Sequence, residues 1–593
     1  MTDVYDEWGI ADGYFDVTGS WHDTPPSTRL ALRTAIGDPV DGDPLWFVDE
    51  GSAQSLWGRC SLVLDDGTDL GEVDALSPHI PSGYHRLAPV DGGPVTTLIV
   101  APRRCLPAPR GWGVAAQVAS LWRPDGWGIG DLRDVEHLAQ QVAERGGVAV
   151  LLSPLHAPAP TMPQEASPYY PSSRRWLNPL LVPVPGDAPA DLGNRPGGLV
   201  DRDRVWAAKR QALGAEFHGD AVAGEWRNWA RAQGTELWRF CTWNALADRY
   251  GDCWREWPVE LRHPDTTHVQ DLPLRDHDFA ASCEFHAWLQ WRAHQALRHT
   301  ASAAGAHLVG DLAVGCSLDG ADAWLHQDAM ALGARIGAPP DAFNVAGQDW
   351  GLPPFVPWKL RAQAYAPFVA MVRATCQGMG GVRIDHVMGL FRQYWVPAGA
   401  SPTEGAYVRM PADELLAIIR LEATRAGAFV VGEDLGTVEV GVHEAMDASA
   451  MLGTTVWWFD QRVSDWRVDS LATVTTHDLP TVAGVWAGSD GDEQMHAALD
   501  AACPGSSLVD AAVHLHALAA AGPATLFLAS IDDLAGLDER PNYPGTTNEQ
   551  HPNWCRRLPA TSEAILTGDP GAAIVRAVVQ ARVSSARTGT IGT

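Results

Sequence analysis

Four acidic side chains stand where short apolar runs stop: Asp311 in GDLA, Asp385 in RIDH, Glu433 in GEDLG and Asp478 in THDLP. Arg383 and His386 flank Asp385, and His477 precedes Asp478. Taken singly, each acid could be a cap that takes up free backbone N–H groups at the start of a helix, and Asp434 fits that reading. Four together, with three basic partners, fit a reactive site better than four caps.

Clustered carboxylates commonly do one of two things: they hold a hard cation, or they divide into a proton donor and a base or nucleophile. A cation site would show more oxygen ligands and fewer neighbouring positive charges, so no metal and no cofactor are expected. Arg383, two residues before Asp385, favours an ionised carboxylate there. An ionised Asp385 is a nucleophile. Glu433 ends an apolar run beside further acids, and burial and like charge both raise its pKa toward that of a proton donor. One ionised and one protonated carboxyl, about 5 to 5.5 Å apart across a bond, is the arrangement that cleaves a glycoside with retention. Asp478 and His477 could then brace sugar hydroxyls and a developing oxocarbenium charge.

Such a cluster needs elements that bring distant residues together. After residue 112, continuous apolar runs alternate with helical stretches, the pattern of a parallel sheet covered on both faces. The runs are GVAAQVAS, GVAVLLSPL, HLVGDLAV, GVRIDHV, AFVVGEDL, TTVWWF, LATVTTHD and ATLFLAS, with a helix from about 132 to 145 between the first two. Eight strands fit an α/β fold of the (β/α)8 TIM barrel type, whose C-terminal strand ends converge on one face. The stretch from about 155 to 305, rich in Trp, Arg and Pro, is too long for one connection and reads as an inserted helical subdomain. Residues 1–38 read as a helical and loop segment. Residues 39–110 carry short apolar runs between Gly, Asp and Pro turns, which predicts an N-terminal β-rich domain, and 111–593 hold the catalytic barrel.

Composition sets outer bounds. A chain of 593 residues exceeds one simple core and has room for a large site. With 43 basic against 72 acidic residues, the net charge of −29 argues against a nucleic-acid partner. No apolar run is long enough to span a bilayer, so no membrane partner is expected. The 26 tryptophans suit sugar rings and core packing equally well. Nine scattered cysteines without a CxxC pair indicate reduced thiols, and the acidic N-terminus lacks a secretory pattern, so a cytoplasmic location is expected. The sequence leaves a homo-oligomer open. GWGIGD at 126–131 lacks phosphate-loop spacing and reads as a tight βα turn. HLH at 514–516 reads as packed or solvated histidines.

The segments GVRIDH, VVGEDLG and TVTTHDLPT, in this order, resemble the signature segments of the α-amylase-like clan. Together with WGIGDL, ASPYYPSSRRWLNP, GDLAVG, PPDAFNVAGQDWGLPP and YPGTTNEQHPNW they resemble one branch, the bacterial 4-α-glucanotransferases or amylomaltases of glycoside hydrolase family 77. The resemblance implies Asp385 as nucleophile, Glu433 as acid/base and Asp478 as transition-state stabiliser. It implies that Arg383, His386, His477 and Asp311 contact the sugar at the cleavage subsite, and that Tyr169 and Trp350 line neighbouring subsites. The first 105 residues look like the extra β-sandwich region of some bacterial members. QDWGLPP is either a loop over the donor cleft or a Pro-braced turn with Trp350 buried. The implied partners are maltodextrin or other α-1,4-glucan donors and acceptor sugars. An α-1,4-glucan hydrolase and a non-catalytic maltodextrin-binding protein remain the alternatives.

Overall fold

The computed structural model describes residues 4–16, 18–219, 223–340 and 344–588. All eight apolar runs form strands of one parallel sheet: β1 (Gly111–Ala116), β2 (Ala149–Leu152), β3 (His307–Leu312), β4 (Gly381–Ile384), β5 (Phe429–Gly432), β6 (Gly453–Val456), β7 (Ser470–Thr473) and β8 (Leu526–Ser530). Their order is β5-β4-β3-β2-β1-β8-β7-β6, so every sequential neighbour pairs except β5 with β6. A parallel bridge between Val431 and Leu452 spans that seam, and the sheet is a nearly closed barrel.

The strands lack in–out alternation because both their faces are covered. Every residue of β5 and of β8 is buried. Ala149, Val309, Phe429, Val431, Leu471, Leu526 and Leu528 form one apolar cluster contributed by five of the strands. The helix Leu132–Glu144 shows how the outer layer is made. Asp131 caps it, with Asp134 completing a capping box, and Val135, Leu138, Ala139 and Val142 lie on its buried face. The GWGIGD segment leading into it is therefore not a tight turn. Fifteen residues separate the end of β1 from this helix, and Asp131 is fully buried under a two-pronged hydrogen bond from Arg123, at 2.8 and 3.0 Å.

Between β2 and β3 the chain leaves the barrel for five helices, Arg202–Gly219, Ala223–Gln233, Thr235–Tyr250, Thr267–Arg275 and His277–Ala303. Trp206, Trp226, Trp243, Trp257 and Trp288 pack their core, which accounts for much of the tryptophan content. A second excursion is an antiparallel four-stranded sheet, in the order Gln348–Leu352, Ala334–Ala338, Arg392–Pro397, Ala406–Arg409. Its strands are only four to six residues long and mix polar with apolar residues, and the apolar pattern did not reveal them.

The N-terminal strands Leu45–Asp49, Gln54–Val63, Asp69–Leu76, Gly83–Pro89 and Thr96–Ala101 form one mixed five-stranded sheet, not a pair of stacked sheets. Its Ile99 and Ala101 pack on Ala417 and Leu421 of the barrel helix Ala412–Ala426, and the Tyr84 hydroxyl donates to Glu422 at 2.8 Å. That contact sets the sheet against the outer helical layer. The nine cysteines are all free thiols. Among the described residues no helix is long and apolar enough to cross a membrane.

Candidate active site

The barrel register sets up the site. Asp311 on β3 is the ladder partner of Arg383 on β4, so the two side chains emerge from adjacent strands about 4.8 Å apart. Arg383 Nη1 donates to both Asp311 oxygens, at 2.8 and 2.9 Å. Its Nη2 lies 3.0 Å from Asp385 Oδ1 and 3.9 Å from Glu433 Oε2. One guanidinium thus ties together acids from the ends of three strands. Burial works against its charge, but Asp311 and Asp385 outweigh that and raise its pKa further. Burial also raises the Asp311 carboxyl, against the pull of Arg383. The Tyr169 hydroxyl donates to Asp311 Oδ2 at 2.6 Å, and its own pKa is driven up by burial and by that acid.

Asp385 follows the last residue of β4, and the chain then turns sharply. His386 sits in the left-handed region at φ 47°, which points its N–H at Glu433 Oε2, 3.0 Å away. Glu433 Oε1 accepts from the Leu435 N–H at 2.7 Å, so the carboxyl is fixed at both oxygens. Burial raises its pKa to about 7, with the Asp385 charge adding to burial and Arg383 opposing it. A carboxyl with that pKa carries a proton available for donation at neutral pH. Burial lowers the His386 pKa, which favours a neutral imidazole, and Trp350 meets that ring edge-on at 5.3 Å.

Asp478 does not sit at a strand tip. β7 ends at Thr473, and the hydroxyls of Thr473 and Thr475 donate to backbone carbonyls of the following turn, folding it away from the ladder. Asn542 Nδ2 holds Asp478 Oδ1 at 2.7 Å, and Arg540 Nη1 holds the Asp478 carbonyl at 2.7 Å. Arg540 is itself anchored by Asp490. Both Asn542 and Arg540 escaped the sequence reading. Asn542 lies one residue before the quoted YPGTTNEQHPNW segment, and nothing local in the sequence ties it to an acid 64 positions earlier.

Asp385, Glu433 and Asp478 share one open cleft of about 670 Å³, together with Tyr169, His386, His477 and Trp350. Trp350 is half-buried in its wall on the edge strand Gln348–Leu352, so QDWGLPP is neither a loop over the cleft nor a turn with Trp350 buried, but a strand that lines it. Arg383 and Asp311 lie one layer deeper, lining a small interior cavity that Glu433 also reaches. Asp434 points elsewhere: it accepts from the Thr454 N–H and pairs with Arg467 at 2.9 Å, tying β5 to β6. Of the HLH histidines, His514 is exposed and His516 is buried on a backbone carbonyl. Among the described residues, no group of three or more His, Cys, Asp or Glu side chains is arranged to hold a metal.

A (β/α)8 barrel whose strand ends gather acids in one cleft defines a class of barrel enzymes that work at the C-terminal face. The family pattern described as 4-alpha-glucanotransferase, glycoside hydrolase family 77, matches residues 116–562, and the chain belongs to this family. It is 37% identical to the 4-alpha-glucanotransferase of Mycobacterium tuberculosis, covering 98% of each chain. It is 31% identical to that of Haemophilus influenzae, covering 82% of each. The crystal structure of amylomaltase from Corynebacterium glutamicum is similar, with a TM-score of 0.83, 28% identity, and coverage of 96% of this chain and 98% of that one.

Proposed function

We propose that the chain transfers a segment of an α-1,4-glucan to the 4-hydroxyl of an acceptor glucan or glucose by double displacement. The observation that carries the mechanism is the shared Arg383 nitrogen, 3.0 Å from Asp385 and 3.9 Å from Glu433. Those two contacts hold the carboxyl oxygens within about 7 Å, which suits the retaining spacing and leaves little of the inverting range of about 6.5 to 9.5 Å.

Glu433 donates its proton to the glycosidic oxygen while Asp385 attacks the anomeric carbon. The C–O bond breaks, the reducing-end fragment leaves, and a covalent glycosyl-enzyme forms. Glu433, now ionised, takes the proton of the incoming 4-hydroxyl as that oxygen displaces Asp385, and the linkage is remade with retained configuration. Asp478, fixed by Asn542 and lining the same cleft, braces sugar hydroxyls. Arg383 disperses negative charge beneath the site. No step calls on a cofactor.

Incubation with maltotriose tests the reading. A ladder of longer maltodextrins together with glucose is expected. Reducing ends that rise without longer products would support the hydrolase instead. Maltodextrin binding without any turnover would support the non-catalytic binder.

A further inference from the structure

Five non-glycine residues among those described adopt positive φ, and two of them, His386 and Trp554, line the cleft. His386 uses the turn to reach Glu433. Trp554, at φ 60°, has no such bond to a reacting group. A bulky residue in this region is strained, and it stays there only where its surroundings dictate the geometry.

Those surroundings are specific. The Trp554 N–H donates to the Pro541 carbonyl at 2.8 Å, and its own carbonyl accepts from Arg202 Nη2 at 2.6 Å. Arg202 is 8% exposed and opens the first helix of the inserted subdomain; its other terminal nitrogen lies 3.4 Å from Cys555 Sγ. The chain before Arg202 pairs with the chain after Trp554, through Val200 N–H to the Cys555 carbonyl at 2.6 Å and Arg557 N–H to the Gly198 carbonyl at 2.9 Å. Held this way, the indole lies 5.4 Å from the Tyr169 ring and 5.1 Å from the His477 ring, which stack on each other at 5.0 Å. The three rings close a triangle, with one corner bonded to Asp311 and another adjacent in sequence to Asp478.

We propose that Trp554 is a positioning residue: Arg202 locks it in a strained backbone so that its indole fixes Tyr169 and His477 where the reacting sugar meets them. The first helix of the inserted subdomain thereby reaches the reaction through the Trp554 carbonyl. The kinetic part of this inference rests on the glucan-transfer reading; the structural part does not.

The test uses the full-length protein and the variants Trp554→Gly, Trp554→Phe, Arg202→Met and the Trp554→Gly/Arg202→Met double. Glycine accepts φ 60° without strain, so Trp554→Gly removes the ring and spares the backbone. With maltotriose, Trp554→Gly is expected to lower kcat about tenfold or more with KM within about threefold, because mispositioned groups fail chiefly in the transition state. Trp554→Phe restores most of the rate. Arg202→Met lowers kcat in the same direction, and the double variant is no worse than Trp554→Gly alone, since both act through one indole. Additive losses, or an unchanged kcat in Trp554→Gly, overturn the proposal. A crystal structure of the Trp554→Gly variant reads positioning directly: the Tyr169 and His477 rings leave their 5.0 Å stack if the proposal holds, and unmoved rings overturn it. A wild-type protein that fails to disproportionate maltotriose would overturn the functional reading alone, with the ring positions still deciding this one.

Discussion

Replacing Asp385 with Asn should do more than stop turnover; it should shift the titration of Glu433. Asp385 Oδ1 and Glu433 Oε2 lie 3.0 and 3.9 Å from the same Arg383 nitrogen. The two carboxyl oxygens are therefore at most about 7 Å apart, where a unit charge at an effective dielectric constant of about 20 is worth about 2.4 kcal/mol. Removing the Asp385 charge should lower the Glu433 pKa by about 1.7 or more at that coupling. Arg383, relieved of one partner, pushes in the same direction. In the wild type, Glu433 must be protonated to act as the acid, so kcat/KM should fall tenfold per pH unit above a limb near the Glu433 pKa of about 7. In Asp385→Asn the transfer rate should drop by several orders of magnitude while maltodextrin binding persists, so the titration has to be read without turnover. Infrared difference spectra, taken against a Glu433→Gln reference, follow the protonated carboxyl directly. That band should vanish near pH 7 in the wild type and near pH 5 in the variant, to within about one unit. The same titration in both proteins would refute the shared-guanidinium geometry, and a wild-type alkaline limb below pH 5 would refute Glu433 as the proton donor.

Two further outcomes follow from buried polar groups. Tyr169→Phe removes a 2.6 Å hydrogen bond to the buried Asp311 carboxyl, a loss of about 1.5 to 3 kcal/mol when the acceptor is charged. If Asp311 steadies Arg383 in the transition state, kcat/KM for maltotriose should fall about 10- to 100-fold, and a change under about threefold would remove Asp311 from the mechanism. His156 is buried and accepts the Ala313 N–H at its Nε2, and burial drives its pKa down to about 3. Between about pH 3 and 6.5 the unfolded chain binds this proton and the folded chain does not, so stability is lost as pH falls below 6.5, by about 1.4 kcal/mol per unit. His156→Gln should flatten the fall in unfolding free energy between pH 6 and 4 by about that amount; an unaltered slope would show that His156 is already protonated in the folded chain.

What the sequence determined by itself was local. An apolar run such as AFVV must be covered on both sides whatever surrounds it, and all eight runs read as strands became barrel strands. The acids were legible for the same reason: each lies within or just beyond an apolar run, or in Asp478's case in the turn that follows. Tertiary structure decided what those acids touch. The Tyr169–Asp311, Asp478–Asn542 and Arg202–Trp554 bonds join residues 142, 64 and 352 positions apart, and only closure of the barrel with its insertions brings them within reach. It also divided the tryptophans among the core of the insertion, the core of the barrel and the cleft wall, which composition could not do because an indole packs equally well on a sugar or on another side chain. Hydrophobic patterning is a property of short windows of sequence, whereas a hydrogen bond between distant loops is a property of the closed fold.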